Sequence, residues 1–330
     1  MNTDFQLDVS SPQVAEDVKL GLEGALGELN LDVPRNQSWG FSDANVKVQK
    51  LVYRVVEHFD IPIIRTWYRY GQFEPYGTLR PKHLSPRSLS QEEKQQEVLS
   101  KKYDDLTVKE IQGYFIEEGI EKDWNQALFG FLQENYETEA DEKFRQAYLS
   151  NLDILETLEN IREDENLPTH ADEYADALKS PSIDLWYELD ESQHFADTET
   201  RLVRDFLDEL QYSLVSLASE DSPNGPQVSE VKKSARLYHE DIWPLPAMKI
   251  SLDQAEGPED ELNEDFLDEG ADYVEQYKRT FPTKFSNWEK SIRSSGLRGS
   301  LADYQAVRGR VPESIGKMEK AVLSNFKNGS

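Results

Sequence analysis

The excess of acidic over basic residues constrains this chain more than any other feature. There are 64 Asp and Glu residues against 36 Lys and Arg, a net charge of −28, whereas a small soluble domain usually carries a net charge of about 2–8 in magnitude. A compact chain with this charge repels itself unless ions screen it, and molar salt shortens the Debye length to about 3 Å. We therefore expect a halophilic protein of a salt-loaded cytoplasm. An acidic protein of a low-salt cell is the alternative.

The acidic residues are concentrated in the middle of the chain. Residues 110–277 hold 11 basic and 44 acidic residues, a net charge of −33, whereas residues 43–109 carry +3 and residues 278–330 carry +7. We expect the basic C-terminal segment to dock on the acidic segment of its own chain or of a twin subunit in a homo-oligomer. Binding of nucleic acid is less favoured, because so acidic a chain repels phosphate at long range.

The composition and the apolar pattern indicate a folded, cytoplasmic protein without a membrane span. Cysteine is absent, which rules out disulfides, thiolate metal sites and a cysteine nucleophile. Residues 1–11 lack the pattern of a signal peptide, and no apolar stretch approaches about 18 residues. Chain length predicts two or three domains, and we place them at residues 1–165 (helical, with a hairpin), 166–220 (acidic, helical) and 221–330 (helical, with a basic tail).

Hydrophobic periodicity predicts a mainly α fold of several helices. In residues 43–59 the apolar side chains recur at helical spacing, with Lys47, Lys50, Arg54 and Glu57 on the opposite face. Residues 61–79 differ, because aromatic residues alternate with Gly and Pro, which predicts a small β hairpin. The other predicted helices span residues 14–29, 107–119, 122–136, 141–162, 198–219, 228–238 and 262–280, and a last one begins at Pro312.

No catalytic, metal-binding or cofactor motif is present, so we expect a non-enzymatic protein without a cofactor. His239, Glu240 and Asp241 stand side by side, but neighbours on a helix point in different directions, and we interpret them as a solvated helix end. Residues 107–136 have the order of a helix-turn-helix. Their acidic second helix instead favours a structural helical hairpin.

The predicted hairpin combines aromatic and arginine side chains, the residue types that concentrate at binding hot spots. Ordinary core packing is the competing interpretation, because aromatic residues also dominate cores. If the cluster binds a partner, the predicted partner-binding residues are Arg65, Trp67, Tyr68, Arg69, Tyr70, Phe73 and Tyr76.

The sequence of residues 48–53, VQKLVY, followed by WYRYGQFEP at residues 67–75, resembles the SocA-like antitoxin, or Panacea, domain family. The matching positions are Leu51, Tyr53, Trp67, Tyr68, Gly71 and Phe73, while Gln72 stands where the family usually has proline. The resemblance implies a mainly helical domain with a small β element that binds a protein partner, such as a toxin. It brings no catalytic residues.

These observations lead to one functional expectation and two alternatives. We expect an antitoxin-like, non-enzymatic protein-binding module. The first alternative is an acidic mimic of DNA that inhibits a basic partner, with the segment of net charge −33 imitating the phosphate backbone. The second is a DNA-binding regulator that uses the basic segments.

Overall fold

A computed structural model of the chain describes residues 13–33, 37–38, 41–69, 71–73, 84–192, 195, 197–256 and 261–297. The predicted helix at Pro312 and most of the basic C-terminal segment lie outside these residues.

The fold is mainly α-helical, as predicted. Two short antiparallel hairpins interrupt the helices: β1 (Gln37–Ser38) pairs with β2 (Phe41–Ser42), and β3 (Thr66–Tyr68) pairs with β4 (Gly71–Phe73). The second hairpin lies within the predicted range of residues 61–79. The helices of the described residues are α1 (Gln13–Glu28), α2 (Asp43–Phe59), α3 (Gln91–Lys94), α4 (Val108–Glu117), α5 (Ile120–Asn125), α6 (Leu128–Glu139), α7 (Glu142–Glu163), α8 (Leu167–Glu191), α9 (Asp197–Ser219), α10 (Gly225–Leu237), α11 (Pro244–Asp253) and α12 (Glu261–Ser294).

Helix α1 forms where predicted, and the packing explains its glycines. A Cβ atom at Gly21 would lie 2.5 Å from Cγ2 of Ile111 on α4, and one at Gly24 would lie 2.6 Å from Cδ1 of Leu89. Only glycine allows α1 to approach its neighbours this closely. Gly21 and Gly24 thus lower the intrinsic helix propensity of α1, but they permit its close packing against α4 and Leu89.

Helix α2 has the predicted bounds, but two of the four residues on its polar face are buried. Lys47 and Lys50 are 4% and 1% exposed. The Lys47 ammonium donates hydrogen bonds to the carbonyl oxygens of Trp124 (2.8 Å) and Gln126 (2.5 Å) at the end of α5. A cation is favourable there because the last carbonyls of a helix carry partial negative charge.

The predicted helix at residues 122–136 is two helices, α5 and α6. Gln126 and Ala127 between them are extended, with ψ of 148° and 143°. The Lys47 ammonium donates a hydrogen bond to the Gln126 carbonyl oxygen, which therefore needs no N–H donor from a continuing helix. Residues 107–139 thus form three short helices packed against α2, and the helical-hairpin interpretation was too simple.

Three long helices, α7, α8 and α9, follow one another and pack side by side, with α8 in contact with both others. The periodicity predicts α7 and α9 closely. It does not mark α8, whose sequence contains Pro168 in the first turn and Pro181 in the interior.

The chain from α10 to α11 is nearly continuous, because a π-helical turn (Tyr238–Ile242) joins the two helices. The chain therefore stays helical beyond residue 238, where the predicted helix ends. Pro244 and Pro246 both lie in the first turn of α11, where a proline without N–H removes no helical hydrogen bond. Helix α12 likewise extends beyond its predicted end at residue 280 and continues through Pro282.

Buried apolar side chains from Val14 to Leu297 form one connected core. The domain boundaries predicted after residues 165 and 220 stay predictions. Within the described residues, no helix has both the length and the apolar character that crossing a bilayer requires.

Candidate functional site

The β3–β4 hairpin carries most of the residues that the sequence singled out, and its first strand, β3, is buried. Trp67 and Tyr68 are 3% and 4% exposed, and Arg69 at the turn is 2% exposed. The buried side chains result from the position of β3, which packs against α11 on one side and against α2 and α7 on the other.

Trp67 is the centre of an aromatic cluster contributed by three helices. Its ring centroid lies 6.4 Å from that of Tyr53 on α2, 6.3 Å from Tyr136 on α6 and 5.3 Å from Tyr148 on α7. Each ring is tilted or edge-on to Trp67, which is the arrangement that aromatic pairs favour. Trp67 thus holds α2, α6 and α7 together.

The backbone of the hairpin is bound at several points along its length. The Tyr148 hydroxyl donates a 2.9 Å hydrogen bond to the carbonyl of Tyr68, and the indole N–H of Trp243 donates one of 2.7 Å to the carbonyl of Arg69. The Thr66 hydroxyl donates to the carbonyl of Ser251 on α11. These bonds satisfy buried carbonyl groups that would otherwise cost free energy.

Among the predicted binding residues whose side chains the structure describes, Arg65 alone reaches the surface. Its backbone N–H and carbonyl both pair with Glu256, at 2.8 and 2.9 Å, and its guanidinium forms a 2.7 Å ion pair with the Glu256 carboxylate. This double contact joins the start of β3 to the end of α11.

The remaining predicted residues are placed as follows. Phe73 lies in β4 with its backbone paired to Thr66, while its side chain, Tyr70 and Tyr76 lie outside what the structure describes. The prediction that these seven residues contact a partner stays a prediction. For Trp67, Tyr68 and Arg69 such a contact requires the hairpin to separate from its surroundings, because all three side chains are buried.

A polar cluster lies against the turn of the hairpin, and periodicity gave no sign of it. It comprises Tyr68 and Arg69, His239 and Asp241 of the π-helical turn, and Tyr273 and Tyr277 of α12. The Arg69 Nε–H donates a 3.2 Å hydrogen bond to the Tyr68 hydroxyl. We call this group the hairpin polar cluster.

The interpretation of residues 239–241 as a solvated helix end is wrong for two of the three residues. His239 is 1% exposed and Asp241 is 7% exposed, with Asp241 paired to Lys284 of α12 and His239 within reach of the Arg69 charge. π-Helical turns often occur at functional sites. The signal missed in the sequence is that the apolar spacing of Val231, Ala235, Tyr238 and Ile242 continues without interruption.

Burial controls the protonation of the hairpin polar cluster. It raises the pKa of the Tyr68 hydroxyl well above its usual value, and it lowers the pKa of His239 well below its usual value, with the Arg69 charge acting in the same direction on His239. Burial and the nearby Asp241 carboxylate raise the pKa of Tyr277. At neutral pH the His239 imidazole and the Tyr68 and Tyr277 phenols are therefore uncharged, while Asp241 forms an ion pair with Lys284 of α12.

The hairpin polar cluster joins three elements and is closed to solvent at its centre. Arg69 and His239 are almost completely buried, so neither side chain can contact a molecule at the surface. The cluster fixes the hairpin turn against the π-helical turn and α12. No group of three or more His, Asp or Glu side chains within the described residues is arranged to hold a metal ion.

Helix α8 presents a row of exposed acidic side chains. Glu173, Asp176, Asp184, Tyr187 and Glu191 are all exposed and recur at helical spacing along one side of this helix. Tyr187 is 49% exposed. We call these five residues the α8 acidic face.

Carboxylates crowd at the centre of the α8 acidic face. Partial burial raises the pKa of Asp153 on α7, and the Asp184 charge raises it further. Partial burial also raises the pKa of Glu188, with added contributions from Asp184 and Glu191. The charges of the face thus add to burial in opposing the ionisation of the neighbouring Asp153 and Glu188, and a cation placed there would favour the ionised forms.

Comparison with known proteins identifies one family. A family model described as "Domain of unknown function (DUF8098)" matches residues 78–324, about three quarters of the chain. No curated protein matches the chain, and no solved structure matches it.

Proposed function

The chain belongs to the DUF8098 family, and we propose that this member is a non-enzymatic, antitoxin-like module whose partner is a basic protein. The α8 acidic face carries this proposal. It offers an exposed tyrosine, a residue type enriched at binding hot spots, between carboxylates that repel one another.

The charge balance of α8 supports a basic partner. The helix has seven acidic residues, Asp172, Glu173, Asp176, Asp184, Glu188, Asp190 and Glu191, and one lysine, Lys179. Lys179 forms an ion pair with Asp176, which leaves the end of α8 from Asp184 to Glu191 without a basic residue of its own helix. Complementary charge at an interface increases the association rate and selects against acidic competitors.

High salt does not remove this mode of binding. Screening acts on charges separated by more than the Debye length, which is about 3 Å in molar salt. Charge-assisted hydrogen bonds within an interface, at about 2.7–2.9 Å, fall inside that distance. The Tyr187 ring adds apolar contact area, whose burial salt does not oppose.

Site-specific cross-linking tests the proposal. A photoreactive residue at position 187, in protein expressed in its native cell, should form a cross-link to one basic protein. Asp184→Lys in the same chain should abolish that cross-link, whereas Glu117→Lys should not, because Glu117 is an exposed carboxylate on α4 and its replacement changes the net charge equally. An unchanged yield of the cross-link in the Asp184→Lys variant would contradict the proposal.

The identified partner then tests the antitoxin-like role. Expressed alone it should arrest growth, and co-expression of this chain should relieve the arrest. Duplex DNA should not compete for the complex. Competition by DNA would favour the alternative that the acidic face imitates a phosphate backbone.

The hairpin residues provide an independent comparison. Trp67→Ala should lower the melting temperature strongly, because Trp67 is buried among three helices, and truncation of a buried tryptophan costs about 3–5 kcal/mol of folding free energy. Tyr187→Ala should weaken partner capture and leave the melting temperature nearly unchanged. Loss of capture with unchanged melting in Trp67→Ala would instead assign recognition to the hairpin.

A further inference from the structure

Residues 99–105 form a loop, here called the Tyr103 loop, that projects from the protein but is firmly anchored. At its base the Val98 N–H donates a 2.8 Å hydrogen bond to the carbonyl of Leu106. The Ser100 hydroxyl donates to the carbonyl of Phe59 at 2.5 Å and accepts 3.0 Å hydrogen bonds from the N–H groups of Lys102 and Tyr103. The loop therefore presents a defined surface.

That surface exposes two large apolar side chains. Leu99 is 67% exposed, more than any other large apolar side chain of the described residues, and Tyr103 is 38% exposed. The Tyr103 ring packs edge-on against Phe59 with centroids 5.7 Å apart, which fixes its orientation. The Lys102 ammonium lies over the ring, 5.2 Å from its centroid, and the Tyr103 side chain still remains exposed.

No charged side chain of the Tyr103 loop pairs with an opposite charge within the described residues. Lys101 forms neither a side-chain hydrogen bond nor an ion pair there, and Lys102 donates to the carbonyl of His58 at 3.1 Å rather than to a carboxylate. Asp104 and Asp105 also form no ion pair with the described residues. In a chain with 64 carboxylates and 36 Lys and Arg residues, two adjacent lysines without a carboxylate partner require an explanation.

The order of these charges is self-complementary. Two lysines precede Tyr103 and two aspartates follow it. When two copies of the loop meet about a two-fold axis, the same surface of each copy forms the contact, and the two loops run in opposite directions across it. Lys101 and Lys102 of one copy then lie opposite Asp104 and Asp105 of the other, with the two Tyr103 rings and Leu99 side chains between them.

We propose that the Tyr103 loop is a self-association surface whose occupant is a second copy of this chain. The loop alone is smaller than the roughly 1,000 Å² that a stable interface requires. The dimer is therefore a concentration-dependent one. The dimer uses a surface separate from the α8 acidic face, so an experiment can contradict either proposal without affecting the other.

Complementary charge reversal tests the pairing directly. The first variant is Lys101→Asp with Lys102→Asp, and the second is Asp104→Lys with Asp105→Lys. Each should self-associate at least about ten-fold more weakly than the unmodified chain, because like charges then face each other. An equimolar mixture should restore association, because four aspartates of one copy then meet four lysines of the other.

Sedimentation velocity over a concentration series measures the association, at the lowest salt concentration that gives full helicity by circular dichroism. All four residues are exposed, and circular dichroism of each variant checks that it is folded. Leu99→Ser should also weaken self-association, and Asp184→Lys on the α8 acidic face should not. The proposal is overturned if the unmodified chain stays monomeric throughout the series, if the reversed variants associate as it does, or if their mixture remains monomeric.

Discussion

The indole N–H of Trp243 donates a 2.7 Å hydrogen bond to the carbonyl oxygen of Arg69, a residue 174 positions earlier in the chain. Trp243 lies at the junction of the π-helical turn and α11, and its ring also contacts Tyr148 on α7, with centroids 5.7 Å apart. One side chain therefore connects the hairpin turn to α7 and to the C-terminal helices.

We expect Trp243→Phe to destabilise the protein by about 1–3 kcal/mol, because it keeps a buried ring but leaves the Arg69 carbonyl without its donor. Chemical denaturation monitored by circular dichroism measures the change. Trp186→Phe on α8 is the matched control. Trp186 is only partly buried, so its replacement should alter stability by about 0.5 kcal/mol or less. Equal effects of the two substitutions on stability would contradict the inference that the hydrogen bond from Trp243 to Arg69 stabilises the protein.

Helices α1 and α4 give a second prediction with an internal control. Gly21→Ala should cost about 1–3 kcal/mol, because the added methyl group meets Ile111 at 2.5 Å in a packed core. Gly113→Ala on α4 makes the same chemical change where no atom lies within 4 Å, and it should stabilise the protein by about 0.5–1 kcal/mol through helix propensity. Thermal unfolding of both variants should therefore shift in opposite directions.

The sequence predicts the regular parts of the fold well, and the reasons are physical. Helix α2 has a complete apolar stripe, and α9 has the same pattern, so the helical period alone indicates both. The β3–β4 hairpin is marked by Trp67, Tyr68 and Gly71, residue types with a clear local preference for strand and turn. Local preference is sufficient in these segments because tertiary packing agrees with it.

The parts that the sequence misses depend on contacts between distant residues. Pro244 and Pro246 are helix-ending residues in isolation, but here they occupy the first turn of α11 after a π-helical turn. The burial of Lys47 depends on the carbonyls of Trp124 and Gln126, nearly eighty residues away. The acidic, helical character of residues 166–220 is predicted, but apolar spacing does not show which of their side chains share the exposed side of α8.

The turn between α7 and α8 should depend on pH. A hydrogen bond from His170 to the Asp164 carboxylate, 2.7 Å long, raises the pKa of His170. Partial burial opposes ionisation of Asp164, but hydrogen bonds from His170, the Asn166 N–H and Tyr174 outweigh it and lower the pKa of that carboxyl group. The His170 contribution to stability is complete below about pH 6.5, the pKa of histidine in the unfolded chain. It is lost as pH rises through the higher pKa of His170 in the folded protein. The Asp164 contribution to stability is present above about pH 4, the pKa of aspartate in the unfolded chain. It is lost as pH falls through the lower pKa of Asp164 in the folded protein.

The His170 contribution to stability should therefore decline as pH rises above about 6.5, and the His170→Gln variant should lack that component of the pH dependence. Urea denaturation at a series of pH values measures the slope, and a proton NMR titration of the His170 ring measures its pKa. A His170 pKa at or below the usual value of about 6.5 would contradict the prediction.

Salt should control folding, because the net charge is −28 and self-repulsion opposes the compact state. We expect helix content measured by circular dichroism to fall below a few hundred millimolar KCl. The double substitution Asp184→Asn with Glu191→Gln removes two charges from the crowded α8 acidic face and should lower the salt required. Full helicity of the unmodified chain in salt-free buffer would contradict the prediction.

Two buried tyrosines give the sharpest test of the region around the hairpin. The Tyr277 hydroxyl is buried and has no hydrogen-bond partner among the described residues, while the Tyr148 hydroxyl donates a 2.9 Å hydrogen bond to the carbonyl of Tyr68. Tyr277→Phe removes an unsatisfied polar group and keeps the ring that stacks on Phe281, with centroids 5.7 Å apart. It should stabilise the protein, because an unsatisfied buried hydroxyl costs about 1–3 kcal/mol.

Tyr148→Phe makes the same change in composition but removes the donor to Tyr68, so it should destabilise the protein by a similar amount. Denaturation midpoints of the two variants should therefore lie on opposite sides of the unmodified chain. If Tyr277→Phe destabilises the protein as much as Tyr148→Phe does, the Tyr277 hydroxyl has a hydrogen-bond acceptor in solution. In that case the hairpin polar cluster is more open to water than its burial indicates.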